Sequence, residues 1–377
     1  MSKPHGSFNF ITENWEVEFS HLTNYSHLEE SWSLLEEQAD CDFFLSWDWI
    51  CTWLNLHPSP EDLYLLSIKH HQEVICLGIF TERQLSRCKI FSYKSLLLHE
   101  SGDQLDNITI EFNSLLIHSK HQKSITKLLK QVFSRLLEDR GLISFPGIKN
   151  KTIINSIPED CIIHSADKPH YWVNLKDINA STDSYLSSLS KNTRSQITQS
   201  INKYKKNGPL KIQFAQNTDE AINYLDHLIE LHQVYWQHKQ KNSSFLEDSV
   251  IEFHKKLITR CFEKGSIILA HISAGETDLG YLYNFSYNKR IYAYQSGIEL
   301  HQDNKYRPGL IAHTLLIEKL LNTEVEKYDF MAGEYRYKKS LSSHQENMKW
   351  LYMMKNTFIN RTLNSLNCFF TKTTDLN

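Results

Sequence analysis

GIELHQDNKYRPGLIAHTLLIEKLL, residues 297–321, is the stretch whose reading decides the fold. A strand ends in it, a polar loop follows, and Pro308-Gly309 opens a helix. Proline suits a first helical position because the N–H it lacks would have had no intrahelical partner there. The glycine beside it lets a backbone come close to a ligand. The N–H groups of Gly309, Leu310, Ile311 and Ala312 are expected to lack intrahelical acceptors and to carry the positive end of the helix dipole. A pyrophosphate fits such a place, and Lys305 and Arg307 add positive charge beside it. An ordinary buried helix can start with Pro-Gly too, so the flanking elements have to decide.

Working outward, Ser266–Ser273, Leu279–Tyr287 and Arg290–Ile298 read as a three-strand antiparallel meander with a tight turn at Asn288-Lys289. After the Pro308–Asn322 helix come a strand at Lys327–Met331, a short helix at Tyr335–Leu341 and a strand at Trp350–Phe358. Before the meander stand a strand at Tyr171–Leu175, a basic helix from about Thr182 to Lys206 and a strand at Leu210–Ala215. Two further helices follow, Thr218–Gln240 and Glu247–Glu263. The first half repeats a weaker version of this order. It has strands at Trp15–Phe19, Tyr64–Lys69, Val74–Phe80 and Leu142–Phe145, and helices at Leu28–Ala39, Trp47–Leu56 and Ser124–Asp139, with Gly141 in the C′ place of the last. Residues 146–170, with Pro146, Gly147, Pro158 and Pro169, read as irregular and mark a boundary. The expectation is a mixed α/β (α+β) chain of two domains, 1–165 and 166–377, each a mostly antiparallel sheet flanked by helices.

Composition agrees with two ordinary globular domains. Of the 377 residues, 41% are hydrophobic and 23% charged, with only 12 Gly and 8 Pro. The net charge of −3 gives no general drive toward DNA or an anionic membrane, and an RNA partner is disfavoured. No apolar run approaches the roughly 18–20 residues of a membrane span. The first residues lack the pattern of a signal peptide, so a cytoplasmic location is expected. The 7 cysteines are scattered, odd in number and without a C-x-x-C pair, which argues for reduced thiols. His70-His71, His118-x-x-His121, and His227 with His232 are spaced too loosely for a metal signal, and no metal is expected.

The meander, R-P-G-L-I-A at 307–312 and D-F-M-A-G-E-Y-R-Y-K at 329–338 resemble the CelD/BcsL-like acetyltransferases of the GNAT superfamily. Ser188, Ser190, Lys191 and Arg194 match that family's S-x-S-K-x-x-R helix. Asp329, Phe330, Gly333, Tyr337 and Lys338 match its D-F-x-x-G-x-x-x-Y-K segment, and F-F-L-S-W-D-W-I-C-T-W-L at 43–54 is similar to its opening. The resemblance implies tandem GNAT-like domains. It also implies acetyl-CoA or another acyl-CoA as co-substrate, held at Arg307, Gly309, Leu310, Ile311 and Ala312, and a small-molecule, sugar or peptide amine as acceptor. The chain departs from many GNAT enzymes in having one glycine, Gly309, where they have two.

Such catalysis resembles direct attack of an amine on a thioester. It needs a base, a polarised carbonyl and an acid for the thiolate. Glu334 and Glu299 are the candidate bases and Tyr337 the candidate acid. Glu334, Tyr337 and Lys338 are expected on one side of the short helix at i, i+3 and i+4. Asp329, Lys338, Tyr292, Tyr294 and Arg194 are the candidate substrate-binding residues. Tyr292 and Tyr294 share one face of their strand, as do Tyr281, Tyr283, Phe285 and Tyr287 of its neighbour; either set could also be plain core. Asp329, inside a strand, could equally be a structural hydrogen-bond acceptor. Two other readings stand beside this one: a Fem-type aminoacyl-tRNA-dependent transferase, with the basic helix on RNA, and a degenerate GNAT fold acting as a binding module. A monomer or homodimer is expected.

Overall fold

The computed structural model describes residues 6–365 and 370–371, apart from 13, 24, 26, 88–90 and 182–183. They fall into two units. Unit 1 is the chain up to Asp167 together with the segment from Met348 onward, and unit 2 is Lys168–Asn347.

Unit 1 contains β1 (Phe8–Thr12), β2 (Trp15–His21), α1 (Leu28–Gln38), α2 (Trp47–Leu56), β3 (Leu63–His70), β4 (Glu73–Arg87) and β5 (Phe91–Leu98). These are followed by β6 (Leu116–Ile117), α3 (Thr126–Asp139), β7 (Leu142–Ile148) and α4 (Lys151–Asn155). Each strand from β1 to β5 is antiparallel to the next, β5 is parallel to β7, and β7 is antiparallel to residues 349–354. The amphipathic α3 buries Leu129, Val132, Phe133 and Leu136 in a core with Leu66, Ile68, Leu96 and Ile143. Each such side chain contributes about 1.5–3 kcal/mol of apolar burial.

Unit 2 contains β8 (Cys161–Asn174, from Lys168 onward), α5 (Leu175–Ser181), α6 (Tyr185–Ser188), α7 (Lys191–Tyr204), β9 (Leu210–Phe214), α8 (Thr218–His238) and α9 (Asp248–Cys261). Then come β10 (Ile267–Ala274), β11 (Thr277–Tyr287), β12 (Arg290–Ile298), α10 (Pro308–Leu320), β13 (Lys327–Ala332) and α11 (Arg336–Leu341). β9 to β12 form antiparallel neighbours, β12 is parallel to β13, and β13 is antiparallel to β8. The series β2-α1-α2-β3-β4-β5-α3-β7-α4 and β9-α8-α9-β10-β11-β12-α10-β13-α11 are therefore one topology used twice. The duplication expected at fold level is present.

Local chemistry explains the elements of unit 2. Asn288 and Lys289 have φ of 47° and 59°, the paired left-handed conformation of a two-residue hairpin turn. α10 is apolar almost all round, and it buries Leu310, Ile311, Ala312, Leu316 and Ile317 with Ile197 of α7 and Leu282 and Ile291 of the sheet. α8 crosses the other face so closely that a Cβ on Gly297 would lie 2.7 Å from the Leu228 Cα.

Three expectations are corrected. The single helix from about 182 to 206 is two helices, α6 and α7, and Thr182 lies outside the described residues. Ser190 is extended and its hydroxyl accepts from the Thr193 N–H, capping α7, while Ser184 caps α6. The apolar stripe runs through both helices and hides the break. Gly141 does not cap α3 in a left-handed conformation. Arg140 is extended, and the Gly141 N–H donates to the Lys94 carbonyl at 3.0 Å, handing the chain directly to β7. Residues 146–170 are not irregular. β7 runs through Pro146-Gly147 to Ile148, Asn150 caps α4, and β8 begins at Cys161. Burial of every β7 residue outweighs the turn propensity of Pro-Gly.

Candidate active site

The site grows from a fault in the sheet of unit 2. β12 and β13 pair only over Arg290–Tyr292 and Lys327–Asp329. Beyond that, β12 continues to Ile298 against β11 alone, β13 continues to Ala332, and among the described residues no backbone pairing joins them. A β-bulge lies just past the parting. The register steps from Tyr283↔Gln295 to Asn284↔Ala293, with Tyr294 as the extra residue of the β12 side. A bulge bends and twists its strand, so β12 turns away from β13 there.

The chain that leaves the open end of β12 returns as α10. Arg307 is its N-cap and Pro308 its first residue. The Arg307 N–H donates to Ser200 Oγ of α7 at 2.8 Å, its Nε to the Asn304 carbonyl at 3.0 Å, and its Nη1 to Gln196 Oε1. Lys203 pairs with Asp303 and lies over the Tyr306 ring. α7 thus latches the loop before α10. The Ile311 N–H bonds the Arg307 carbonyl at 3.2 Å and that of Ala312 turns back into the helix, which corrects the expected set of four. Gly309 and Leu310 carry the N–H groups that have no acceptor among the described residues. Side chains of Leu310, Ile311 and Ala312 are core; their backbones, not their side chains, border the helix start. Nothing among the described residues demands glycine at 309. A Cβ there would meet only Ile298, at 3.8 Å.

The second cluster follows β13. Met331 and Gly333 have φ of 64° and 123°, turning the chain sharply into α11. Lys338 is buried, and its Nζ donates to the Ala332 carbonyl at 2.6 Å and lies over the Tyr335 ring. Tyr337 is half-buried and stacks on His313 of α10 at 5.5 Å between ring centroids. Burial, with Tyr335 and Tyr235 nearby, pushes the Tyr337 phenol well up, so it is protonated at neutral pH. Glu334 is exposed and precedes the helix, whose N-cap is Tyr335, so it does not share a helical face with Tyr337 and Lys338. Glu299 is exposed at the other lip, past the end of β12.

The remaining candidates are buried or held by other groups of the protein. Tyr292 and Tyr294 are buried. Tyr294 packs with Tyr283, Phe285 and His254 of α9 as an aromatic layer under the helices. Asp329 is fully buried, bonded to His170 Nε2 of β8 at 2.8 Å and to the Met331 N–H at 2.9 Å. Burial would raise its carboxyl, but His170, Arg290 and the Met331 N–H outweigh that and hold it below the usual range. Arg194 donates to the Ser187 carbonyl and stands about 200° round α7 from Gln196, facing away from the α10 start.

Sequence reasoning missed His313, which bonds the Tyr328 hydroxyl at 2.8 Å and is held down to about 3 by burial and Lys338. It also missed the Gln196–Ser200 latch and Tyr235. A histidine in the mostly apolar first two turns of α10 was the available signal for His313. In unit 1, His70, His71, His118 and His121 do come together, but no group of three metal-binding side chains forms among the described residues.

This order of elements has relatives. Residues 191–339 match the family model of an acetyltransferase (GNAT) domain. That GNAT segment starts at α7 and ends in α11, so it includes the latch, the parting strands and both clusters. No curated protein matches the sequence. Among solved structures, FemX is 9% identical with a TM-score of 0.54, covering 93% of this chain and 99% of its own. The C-terminal domain of a putative lysylphosphatidylglycerol synthetase from Agrobacterium fabrum is 9% identical with a TM-score of 0.52, covering 91% and 95%. L-PGS from Bacillus licheniformis is 9% identical with a TM-score of 0.50, covering 89% and 94%. At such identities these likenesses show the fold: two GNAT-like units, mixed α/β, with mostly antiparallel sheets. No helix among the described residues is long and apolar enough to cross a membrane.

Proposed function

We propose that unit 2 is an N-acyltransferase that moves an acyl group from coenzyme A to an amine. The observation that carries this reading is the parting of β12 from β13 beside the unpartnered N–H groups of Gly309 and Leu310. Two such N–H groups with the helix dipole behind them suit a pyrophosphate. No contact among the described residues needs Gly309 bare, which supports close approach by a ligand there. The thioester would then lie along the open edge of β12. The acceptor nitrogen attacks the thioester carbonyl carbon, a C–N bond forms, the C–S bond breaks and the thiolate leaves. Glu334 or Glu299, both exposed carboxylates, takes the amine proton, and the Tyr337 phenol supplies a proton to the thiolate. Lys338 supports the turn after β13 through the Ala332 carbonyl. A cytoplasmic enzyme with a small-molecule, sugar or peptide amine as acceptor is the form we favour, close to the CelD/BcsL-like acetyltransferases.

The shared fold with FemX, the putative lysylphosphatidylglycerol synthetase domain and L-PGS supports a second reading, an aminoacyl-tRNA-dependent transferase using the exposed Lys191 of α7 and Lys205 and Lys206 just beyond it. Thermal shift and calorimetry separate the two. Coenzyme A at about 100 times its dissociation constant should stabilise the fold by about 2.7 kcal/mol. No shift with millimolar coenzyme A or acyl-CoA would defeat the first reading. Salt-sensitive tRNA binding would support the second, and neither response would leave a binding module.

A further inference from the structure

The repeat places a second parting of strands in unit 1, and there the chain fills it. β5 and β7 pair over Ser95–Leu97 and Leu142–Ser144. Where β7 runs on to Ile148, Asn113 enters as an isolated parallel bridge, and its N–H donates to the Gly147 carbonyl at 3.1 Å. Its side-chain amide donates to the Leu98 carbonyl at the end of β5, at 2.9 Å. Its Oδ1 meets His99 Nδ1 at 2.8 Å, and His99 Nε2 accepts from the Ile79 N–H of β4 at 3.1 Å. Because Nε2 accepts, Nδ1 must carry the hydrogen, so every polar atom in this chain of bonds has the right sense. Asn113 is fully buried and His99 nearly so.

The crossing is tight. Gly147 has a φ of +60°, and a Cβ on it would stand 3.0 Å from the Glu111 Cα and the Ile110 carbonyl. Thr109 and Phe112 take φ of 50° and 52°, conformations that persist only where surrounding structure holds them. Ile110, Phe112 and Leu115 are buried, and Leu115 lies where a side chain on Gly78 would be. In unit 2 the edge of β12 from Ala293 to Ile298 receives no such strap among the described residues.

We infer that residues 109–115 are a built-in occupant of unit 1, and that the chain accordingly takes a single carrier molecule, in unit 2. The identity of the carrier rests on the function proposed above; the seal does not. Unit 1 uses its own backbone and one asparagine to satisfy the strand edges that unit 2 leaves open.

Hydrogen exchange on the full chain tests both parts. Without ligand, the amides of Asn113 and Ile79 should exchange within about threefold of the slowest amides of β3–β5, because the strap opens only with the unit. Exchange about a hundredfold faster than those strands would make the segment a displaceable lid and overturn the inference. With coenzyme A added, new protection should fall on β12 and the start of α10, with one molecule per chain by native mass spectrometry. New protection on β5, β7 or the start of α3, or a second bound molecule, would also overturn it. If coenzyme A does not bind at all, the acyl-CoA reading of unit 2 fails, while the ligand-free exchange rates still decide the seal.

Discussion

Gly309 is a residue whose missing side chain no packing contact among the described residues explains. Its backbone is not left-handed, and a Cβ would make an ordinary contact with Ile298. Gly309→Val should therefore leave the melting temperature near wild type and weaken coenzyme A binding at least about tenfold, since a branched side chain blocks close backbone approach. Calorimetry and a thermal melt on the same sample measure both quantities; equal loss in each would make Gly309 a packing residue. Tyr337 and Glu334 are the other residues to change. Tyr337→Phe keeps the stack on His313, and Glu334→Gln alters an exposed side chain, so both should fold. If they serve as acid and base, each should lower turnover by roughly 10²–10⁴-fold once an acceptor is found. Normal turnover in Glu334→Gln alone would shift the base to Glu299. The candidate residues stand together in one segment of the sequence, D-F-M-A-G-E-Y-R-Y-K. Their grouping in space was not legible there. Helical spacing placed Glu334 with Tyr337, but the left-handed turn at Met331-Gly333 delays the helix until Arg336.

At the scale of elements, α8 and β12 touch backbone to backbone. A Cβ on Gly297 would sit 2.7 Å and 2.9 Å from the Leu228 Cα and carbonyl carbon, and neither can rotate away as a side chain could. Gly297→Ala should cost about 1–3 kcal/mol or more by overpacking. A urea titration will read this as a lower midpoint with an unchanged slope. No loss would mean that the helix can shift off the strand. The meander strands, their hairpin and the long helices were legible because their periods are local, whereas β1, β5 and the first part of β8 were not read from the sequence. The break between α6 and α7 was hidden too, because Leu186, Leu189, Thr193 and Ile197 keep helical spacing across it. Only the Ser190 hydroxyl on the Thr193 N–H marks the new start.

At the scale of the whole molecule, burial drives at least five of the described histidines far below their ordinary range. His57, His99 and His232 are lowered to about 4, and His254 and His313 to about 3. Below about pH 6.5 the unfolded chain protonates these rings while the folded chain does not, so protons favour unfolding. Stability is full above that pH and falls as pH drops toward the folded values. Asp329, whose carboxyl is also held low, acts in the same direction at lower pH. Each histidine contributes a slope of about 1.4 kcal/mol per pH unit, so five acting together reach about 7. Against a usual stability of about 5–15 kcal/mol, the protein should unfold cooperatively before about pH 4. Denaturant midpoints followed from pH 7.5 to 4.5 will show it; a flat profile down to pH 5 would mean that these rings are hydrated in the folded state.

By itself the sequence determined most of the strands and long helices of unit 2, a weaker version of the same order in the first half, and the Pro-Gly helix start after a meander, because each depends on residues within a few positions of one another. Tertiary structure alone decided that β12 leaves β13 after three paired residues, that Arg307 is held by α7 rather than left for a ligand, and that Asp329 spends its charge on His170, 159 residues away. It also decided that one of two like openings is closed by Asn113. Chain composition carries no mark of these outcomes. Whether a polar group meets a partner, a ligand or another segment is set by which distant backbone edges remain unpaired once the sheets have formed.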